Sequence, residues 1–236
     1  MSKAILCAPS LPTEIKAELS ALTGLPCVPI PPCEALPEPT RCHPDMLFFN
    51  LPKTSETVTS LKYYAANHGF FQAFQCPKLI FDDAPLSHEY PDDILFDALS
   101  MGDALYCKAS HTSKELKSRF RQIIPLRQGY AACSTLKLSD RAAITADPNI
   151  VAALTENGIR VLKISAGNIA LPGYSCGFIG GASAVICNKV IFFGSLREHP
   201  SYTDISEFCR AEGVTVTDFP SLELTDHGSI RTLSYL

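Results

Sequence analysis

The chain contains no tryptophan and only three methionines among its 236 residues, and no single residue class forms a long run. No segment approaches the roughly 20 consecutive apolar residues that a membrane-spanning helix needs. No block of like charges suggests a nucleic-acid tail or a polybasic membrane patch, and the net charge is −4. These absences predict a cytoplasmic protein whose partner is neither a membrane nor a nucleic acid.

The loop after the first apolar run lacks the glycines of a nucleotide-binding fold. A doubly wound sheet usually has a glycine-rich phosphate loop at this point, whereas residues 8–12 read APSLP. An ordinary doubly wound sheet is therefore only an alternative fold for this chain, and no cofactor is expected.

The chain is rich in apolar residues, at 46%, and has ten cysteines. In a chain of this length without an export signal, we interpret the cysteines as buried, reduced thiols. Cys27, Cys33, Cys42 and His43 are near one another in sequence, but their spacing matches none of the short paired-ligand patterns. No metal site is predicted.

Strand and helix patterns alternate along the chain in units of similar length. The predicted strands and helices are, in order, strand 4–7, helix 13–19, strand 27–30, helix 55–68, strand 104–107, a helix around 114–122, strand 142–145, a helix ending at 157–158, strand 159–164, strand 190–193, helix 203–210 and strand 214–217. The fourth unit carries the clearest signals, because Asp147-Pro148 is a helix N-cap with a first-turn proline and Asn157-Gly158 is a helix stop.

One short motif occurs twice. Residues 44–50 (PDMLFFN) match residues 91–97 (PDDILFD), and each copy is predicted to end an apolar strand on Asn50 or Asp97. We expect five repeats within a single domain over residues 1–236, approximately at 1–32, 44–80, 91–128, 132–165 and 176–220, with 221–236 closing a ring.

This plan resembles the pentein, or guanidine-group-modifying, fold, a five-bladed αβ propeller shared by arginine deiminases, dimethylarginine hydrolases, agmatine deiminases and a ribosome anti-association factor. Residues 128–130, 173–181 and 226–230 are similar to an uncharacterised bacterial family of that fold. The resemblance implies a central cavity on the propeller axis and, in active members, hydrolysis or transfer at a guanidinium carbon.

The chain departs from active penteins at the residues that carry their chemistry. Their C-terminal segment ends in a nucleophilic cysteine, but the similar segment 228–232 (GSIRT) places Thr232 there. A threonine hydroxyl needs an adjacent base to become a comparable nucleophile. The strands at 129–133 and 173–176 contain no histidine that could match the catalytic one.

Several residues are candidates for the central site, each with a structural alternative. Asn50 and Asp97 either face the cavity or form turns, and Asn168 is either a pocket residue or an Asx-turn. Cys133 is either a relocated nucleophile or a buried inert thiol. Tyr174 and Asp226 are predicted pocket residues.

Gly180 and Gly181 either present backbone N–H groups to an anion or permit close strand crossing. We therefore expect a degenerate pentein that binds a small ligand or a protein partner. The alternative is a hydrolase or transferase acting on a guanidine, amidine or amide through an atypical nucleophile, with Cys133 as the candidate.

Overall fold

A computed structural model describes residues 2–76 and 78–236, and within these ranges the strands form five separate three-stranded sheets. Sheet 1 contains β1 (Ser2–Cys7), β2 (Cys27–Pro29) and β15 (Arg231–Tyr235). Sheet 2 contains β3 (Phe48–Asn50), β4 (Thr57–Ser60) and β5 (Leu79–Asp82), and sheet 3 contains β6 (Leu99–Met101), β7 (Ala104–Cys107) and β8 (Gln122–Pro125). Sheet 4 contains β9 (Thr135–Ser139), β10 (Ala142–Thr145) and β11 (Arg160–Lys163), and sheet 5 contains β12 (Ser183–Ile186), β13 (Lys189–Phe192) and β14 (Thr215–Thr217).

Short helices connect the strands. They are α1 (Thr13–Thr23), α2 (Pro44–Leu47), α3 (Leu61–Ala66), α4 (His68–Gln72), α5 (Lys114–Lys117), α6 (Pro148–Glu156) and α7 (Tyr202–Ala211). Among the described residues, none of these helices has the length and apolar character needed to cross a membrane.

Every sheet has the same internal order. A central strand pairs antiparallel with one neighbour and parallel with the other, and a helical segment connects the central strand to its parallel neighbour. The strand–helix–strand unit predicted from the sequence is thus extended by one antiparallel strand. Five separate sheets of this kind confirm the five-bladed αβ propeller and exclude a single doubly wound sheet.

Buried apolar clusters link the sheets in a closed cycle. One cluster joins sheets 1, 2 and 3, a second joins sheets 3 and 4, and a third joins sheets 4 and 5. A fourth contains Ile5 of β1 and Ile191 of β13 and so joins sheet 5 back to sheet 1. Because each blade is covered only by its neighbours, burial of this apolar surface depends on the ring being complete.

The fourth unit forms as predicted. The Asp147 carboxylate accepts hydrogen bonds from the backbone N–H groups of Asn149 and Ile150, at 2.8 and 2.9 Å, and Pro148 begins α6. Gly158 follows the helix with a φ of 73°, a left-handed conformation that favours glycine. The local signals agreed here because the cap, the proline and the glycine each act within a few residues.

Two helix predictions were wrong in their bounds. The first half of the helix predicted over 55–68 is the buried strand β4, and the helix α3 begins only at Leu61. The β-branched side chains of Thr57, Val58 and Thr59 favour a strand there. The helix predicted around 114–122 ends at Lys117, because Gln122 already begins β8.

The repeated motif does not mark equivalent strand ends. Asn50 ends β3, but Asp97 lies before the first residue of β6, so the prediction that both residues end matching strands was wrong. The similarity of the motifs reflects apolar content, while the strand register differs between the two copies.

Leu233 on β15 tests whether ring closure stabilises the whole fold. Its side chain is 1% exposed and packs in the cluster that joins sheets 1, 2 and 3. We expect Leu233→Ala to lower the free energy of unfolding by about 3 kcal/mol, as buried Leu→Ala substitutions do. Leu236→Ala, at a leucine that is 71% exposed, is the matched control and should change it by less than about 0.5 kcal/mol. Equal midpoints for the two variants in urea denaturation would contradict this role of β15.

Candidate functional site

The turns before the outer antiparallel strands meet at the centre of the ring. Backbone hydrogen bonds join them: Gly181 N–H donates to the Cys133 carbonyl at 3.0 Å, His227 N–H to the Gly181 carbonyl at 3.1 Å, and Asp45 N–H to the Gly228 carbonyl at 3.1 Å. Residues far apart in sequence therefore form one buried cluster.

A thiol and a carboxyl lie in contact within that cluster. The Cys133 thiol donates to Asp45 Oδ2 over 2.9 Å, and the two residues are 4% and 0% exposed. Asp45 belongs to α2 before β3, and Cys133 belongs to the turn before β9. The pair joins the turns of sheets 2 and 4.

Asp97 is held by the same turn. Its Oδ1 accepts the backbone N–H groups of Ala132 at 2.6 Å and Cys133 at 3.2 Å, while its Oδ2 has no hydrogen-bond partner within residues 2–76 and 78–236. The side chain is completely buried. Asp97 therefore fixes the conformation of the turn that carries Cys133.

Asp226 is the third buried carboxyl of the cluster. It accepts backbone N–H groups from Phe178 at 2.9 Å and Gly228 at 3.0 Å, and its Oδ1 lies 3.8 Å from His43 Nδ1. A Cβ atom on Gly181 would lie 2.0 Å from this carboxyl oxygen. Glycine at 181 is therefore required by packing against Asp226.

Burial dominates the electrostatics of the cluster. It raises the pKa of the Asp45 carboxyl against the opposing charge of Arg231, raises that of Asp97 well above its usual range, and raises that of Asp226 to about 6. Burial, together with the Asp45 and Asp97 carboxyls, also raises the pKa of the Cys133 thiol well above its ordinary value. Cys133 is therefore a protonated thiol near neutral pH, which is a poor nucleophile.

The neighbouring histidines have different partners. Burial lowers the pKa of His43, and burial with the nearby His43 lowers that of His227 to about 4. His227 shares a hydrogen bond with the Ser10 hydroxyl through Nδ1 at 3.0 Å, and it does not form an acid–base pair with the adjacent Asp226. Both imidazoles are neutral near pH 7.

A cavity of about 250 Å³ lies on the axis beside the cluster. All five sheets contribute to its wall, and Ala132 and Gly180 form part of the lining next to Cys133. The polar and charged side chains of the lining are Asn50, Ser100, Thr135, Lys137, Ser183, Ser229 and Arg231. In the described part of the chain, the lining thus contains two cationic side chains and no carboxylate.

The structure brings together only some of the residues predicted from the sequence. Asn50 and Gly180 line the axial cavity. Asn168, with a φ of 57°, lines a separate cavity near the loop that follows β14, and Tyr174 is 46% exposed and lines neither of these cavities. Cys133, Asp97, Asp226 and Gly181 belong to the buried cluster beside the axial cavity.

Sequence reasoning missed His43 and Asp45 in the cluster, and Lys137 and Arg231 in the cavity wall. One feature could have indicated the pair. Asp45 lies just before β3 and Cys133 just before β9, so the two residues occupy equivalent positions in their repeats. The short strands that define this correspondence have only three to five residues and no strong pattern of their own.

Gly180 tests whether close packing at the axis is a requirement of the fold. A Cβ atom there would lie 2.3 to 2.6 Å from the backbone carbonyl oxygens of Ala132, Cys133 and Thr135. Because backbone atoms cannot swing away as a side chain can, we expect Gly180→Ala to cost more than about 3 kcal/mol of unfolding free energy. Gly69→Ala in α4, where nothing lies within 4 Å, is the control and should stabilise the protein by about 0.5 kcal/mol. Similar melting temperatures for the two variants would contradict the packing role.

Comparison with curated proteins gives no match. Among solved structures, the chain is similar to a mutant DDAH from Pseudomonas aeruginosa complexed with citrulline, with a TM-score of 0.55 and 14% identity over 94% of this chain and 93% of that chain. A dimethylarginine dimethylaminohydrolase adduct with S-methyl-L-thiocitrulline gives a TM-score of 0.55 and 15% identity over the same shares of the two chains. Dimethylarginine dimethylaminohydrolases are penteins, and these similarities establish the pentein fold. A family model, described as a family of unknown function (DUF6873), matches residues 7–231, and the chain belongs to this family.

Proposed function

We propose that this protein binds a small anionic ligand in its axial cavity and does not carry out the covalent cysteine chemistry of guanidine-modifying penteins. The observation that carries the proposal is the charge of the cavity wall, which holds Lys137 and Arg231 but no Asp or Glu among the described lining residues. A cationic guanidinium group would find no counter-ion among these lining residues, whereas a carboxylate or phosphate would find Arg231 and Lys137, of which Lys137 also pairs with Asp140.

The two cations have donors that the protein does not fully use. Arg231 donates from Nε to the Phe48 carbonyl at 3.1 Å and from Nη1 to its neighbour's carbonyl at 2.9 Å. Its Nη2 takes part in neither bond. Lys137 Nζ donates to the Ser100 carbonyl at 2.6 Å and pairs with Asp140 at 2.7 Å, which leaves one of its three N–H groups.

Polar neutral groups complete the wall and suit an oxygen-rich ligand. Asn50 donates from Nδ2 to the Thr232 carbonyl at 2.7 Å and accepts the Thr232 N–H on Oδ1 at 2.9 Å. This pair holds β3 beside β15 and fixes the position of Arg231 in the cavity wall. The cations are thus held in place before the ligand arrives, which lowers the entropic cost of binding.

The same geometry argues against a covalent mechanism. Thr232, at the position where the resemblance to penteins expects the nucleophile, is exposed and does not line the cavity. Cys133 is 4% exposed, lies behind Ala132 and has a strongly raised pKa. Neither residue combines access to the cavity with an activated nucleophile.

A thermal-shift screen tests the proposal. Inorganic phosphate, sulfate, malonate and citrate form the anionic set, and arginine, agmatine, citrulline and guanidinium form the comparison set. A ligand that binds only the folded state stabilises it by about 2.7 kcal/mol at 100 times its Kd, so at least one anion at millimolar concentration should raise the melting temperature. The cationic guanidines should not raise it.

Matched charge variants show whether the shift comes from the cavity. Lys137→Gln should abolish most of the anion-dependent shift, because it removes one of the two cavity cations. Lys163→Gln removes the same charge from an exposed position at the end of β11 and should leave the shift intact. Stabilisation by agmatine alone, an anion shift that persists in Lys137→Gln, or guanidine hydrolysis by the pure protein would overturn the proposal.

A further inference from the structure

Three metal-ligating side chains from distant parts of the chain converge in the buried cluster. One ligand atom each from His43, Asp45 and Cys133 lies within 4.8 Å of the other two, and all three residues are buried. Cys133 and Asp45 are 88 positions apart in sequence, so no short motif could have indicated this grouping.

Two of these groups lack the hydrogen bonds that burial normally requires. His43 Nδ1 and Asp45 Oδ1 are inaccessible to solvent and have no hydrogen-bond partner among the residues that the structure describes. The nearest acidic atom to His43 Nδ1, Asp226 Oδ1 at 3.8 Å, is beyond hydrogen-bond distance. A buried polar atom without a partner is destabilising, so each of these two atoms is open to a bound ligand.

We propose that His43, Asp45 and Cys133 bind one divalent transition-metal ion, with zinc as the best fit. Imidazole nitrogen, carboxylate oxygen and thiolate sulfur are the donor types that zinc takes in proteins. The ion replaces the thiol proton, which leaves to solvent, so the Cys133–Asp45 hydrogen bond gives way to two metal–ligand bonds. The charges of one carboxylate and one thiolate then balance the two positive charges of the ion.

Asp97 lies next to this group without belonging to it. Its Oδ1 accepts the backbone N–H of Cys133 at 3.2 Å, but the ligand atoms that lie within 4.8 Å of one another are those of His43, Asp45 and Cys133 alone among the described residues. An ion held by these three residues would tie α2 to the turn before β9.

This site is separate from the anion cavity and does not rest on the proposed function. Ala132 lines the cavity, whereas none of the three proposed ligands does. Cobalt and zinc binding therefore report on the metal site whether or not an anion binds in the cavity.

Cobalt(II) titration of the chelator-treated protein is the first test. One equivalent should produce the near-ultraviolet thiolate-to-cobalt charge-transfer band and the visible bands of tetrahedral cobalt, and zinc should displace them. Cys133→Ala should lose the charge-transfer band and weaken zinc binding by more than about 100-fold, since even the outer-sphere partners of a metal site contribute about 10–100-fold. Cys209→Ala, at another buried cysteine in a different apolar cluster, should retain both properties.

Zinc X-ray absorption of the wild-type protein keeps the test independent of how well the variants fold. The expected first shell has one sulfur at about 2.3 Å and nitrogen or oxygen neighbours at about 2.0–2.2 Å. No sulfur, two or more sulfurs, an unchanged cobalt spectrum in Cys133→Ala, or no zinc binding at micromolar concentration would each overturn the proposal.

Discussion

The antiparallel pairing of β15 with β1 is the constraint on which the rest of the molecule depends. It joins the two ends of the chain, from Ser2 against Tyr235 to Leu6 against Arg231, and supplies sheet 1 with its third strand. The central strand β1 that it completes packs in turn against sheet 5, through the cluster that contains Ile5 and Ile191. The pairing also brings residues 226–231 back to the axis, where Asp226 lies 3.8 Å from His43 and Arg231 donates to the Phe48 carbonyl.

Sequence reasoning identified the fold where local signals were strong and failed where a residue's role depends on closure of the ring. Asp147 and Gly158 define α6 through contacts within a few residues, and the sequence was sufficient there. The outer strands have only three to five residues, so their register comes from pairing with the central strand. That is why Asp97 was predicted to end a strand when it precedes one.

In the candidate site, too, the sequence indicated individual residues but not which of them lie together. Asp97, Cys133 and Asp226 stood out as polar or thiol groups near predicted strands, but their common environment arises only when the turns converge. In sequence, His43 is close to Cys27, Cys33 and Cys42. Its neighbours in space are Asp45 and Asp226, which it meets because Gly228 lets the backbone approach its side chain. A Cβ atom at 228 would lie 2.3 Å from that of His43.

The axis therefore combines cations in the cavity wall with buried acids in the cluster beside it. Arg231 contributes to both, because it lines the cavity and its charge opposes the rise in the pKa of the buried Asp45. An anion in the cavity and the Asp45 carboxylate compete for this single guanidinium. A metal ion bound to Asp45 removes the competition by neutralising the carboxylate. The two proposed ligands thus favour each other's binding, and thermodynamic linkage requires the effect to be equal in both directions.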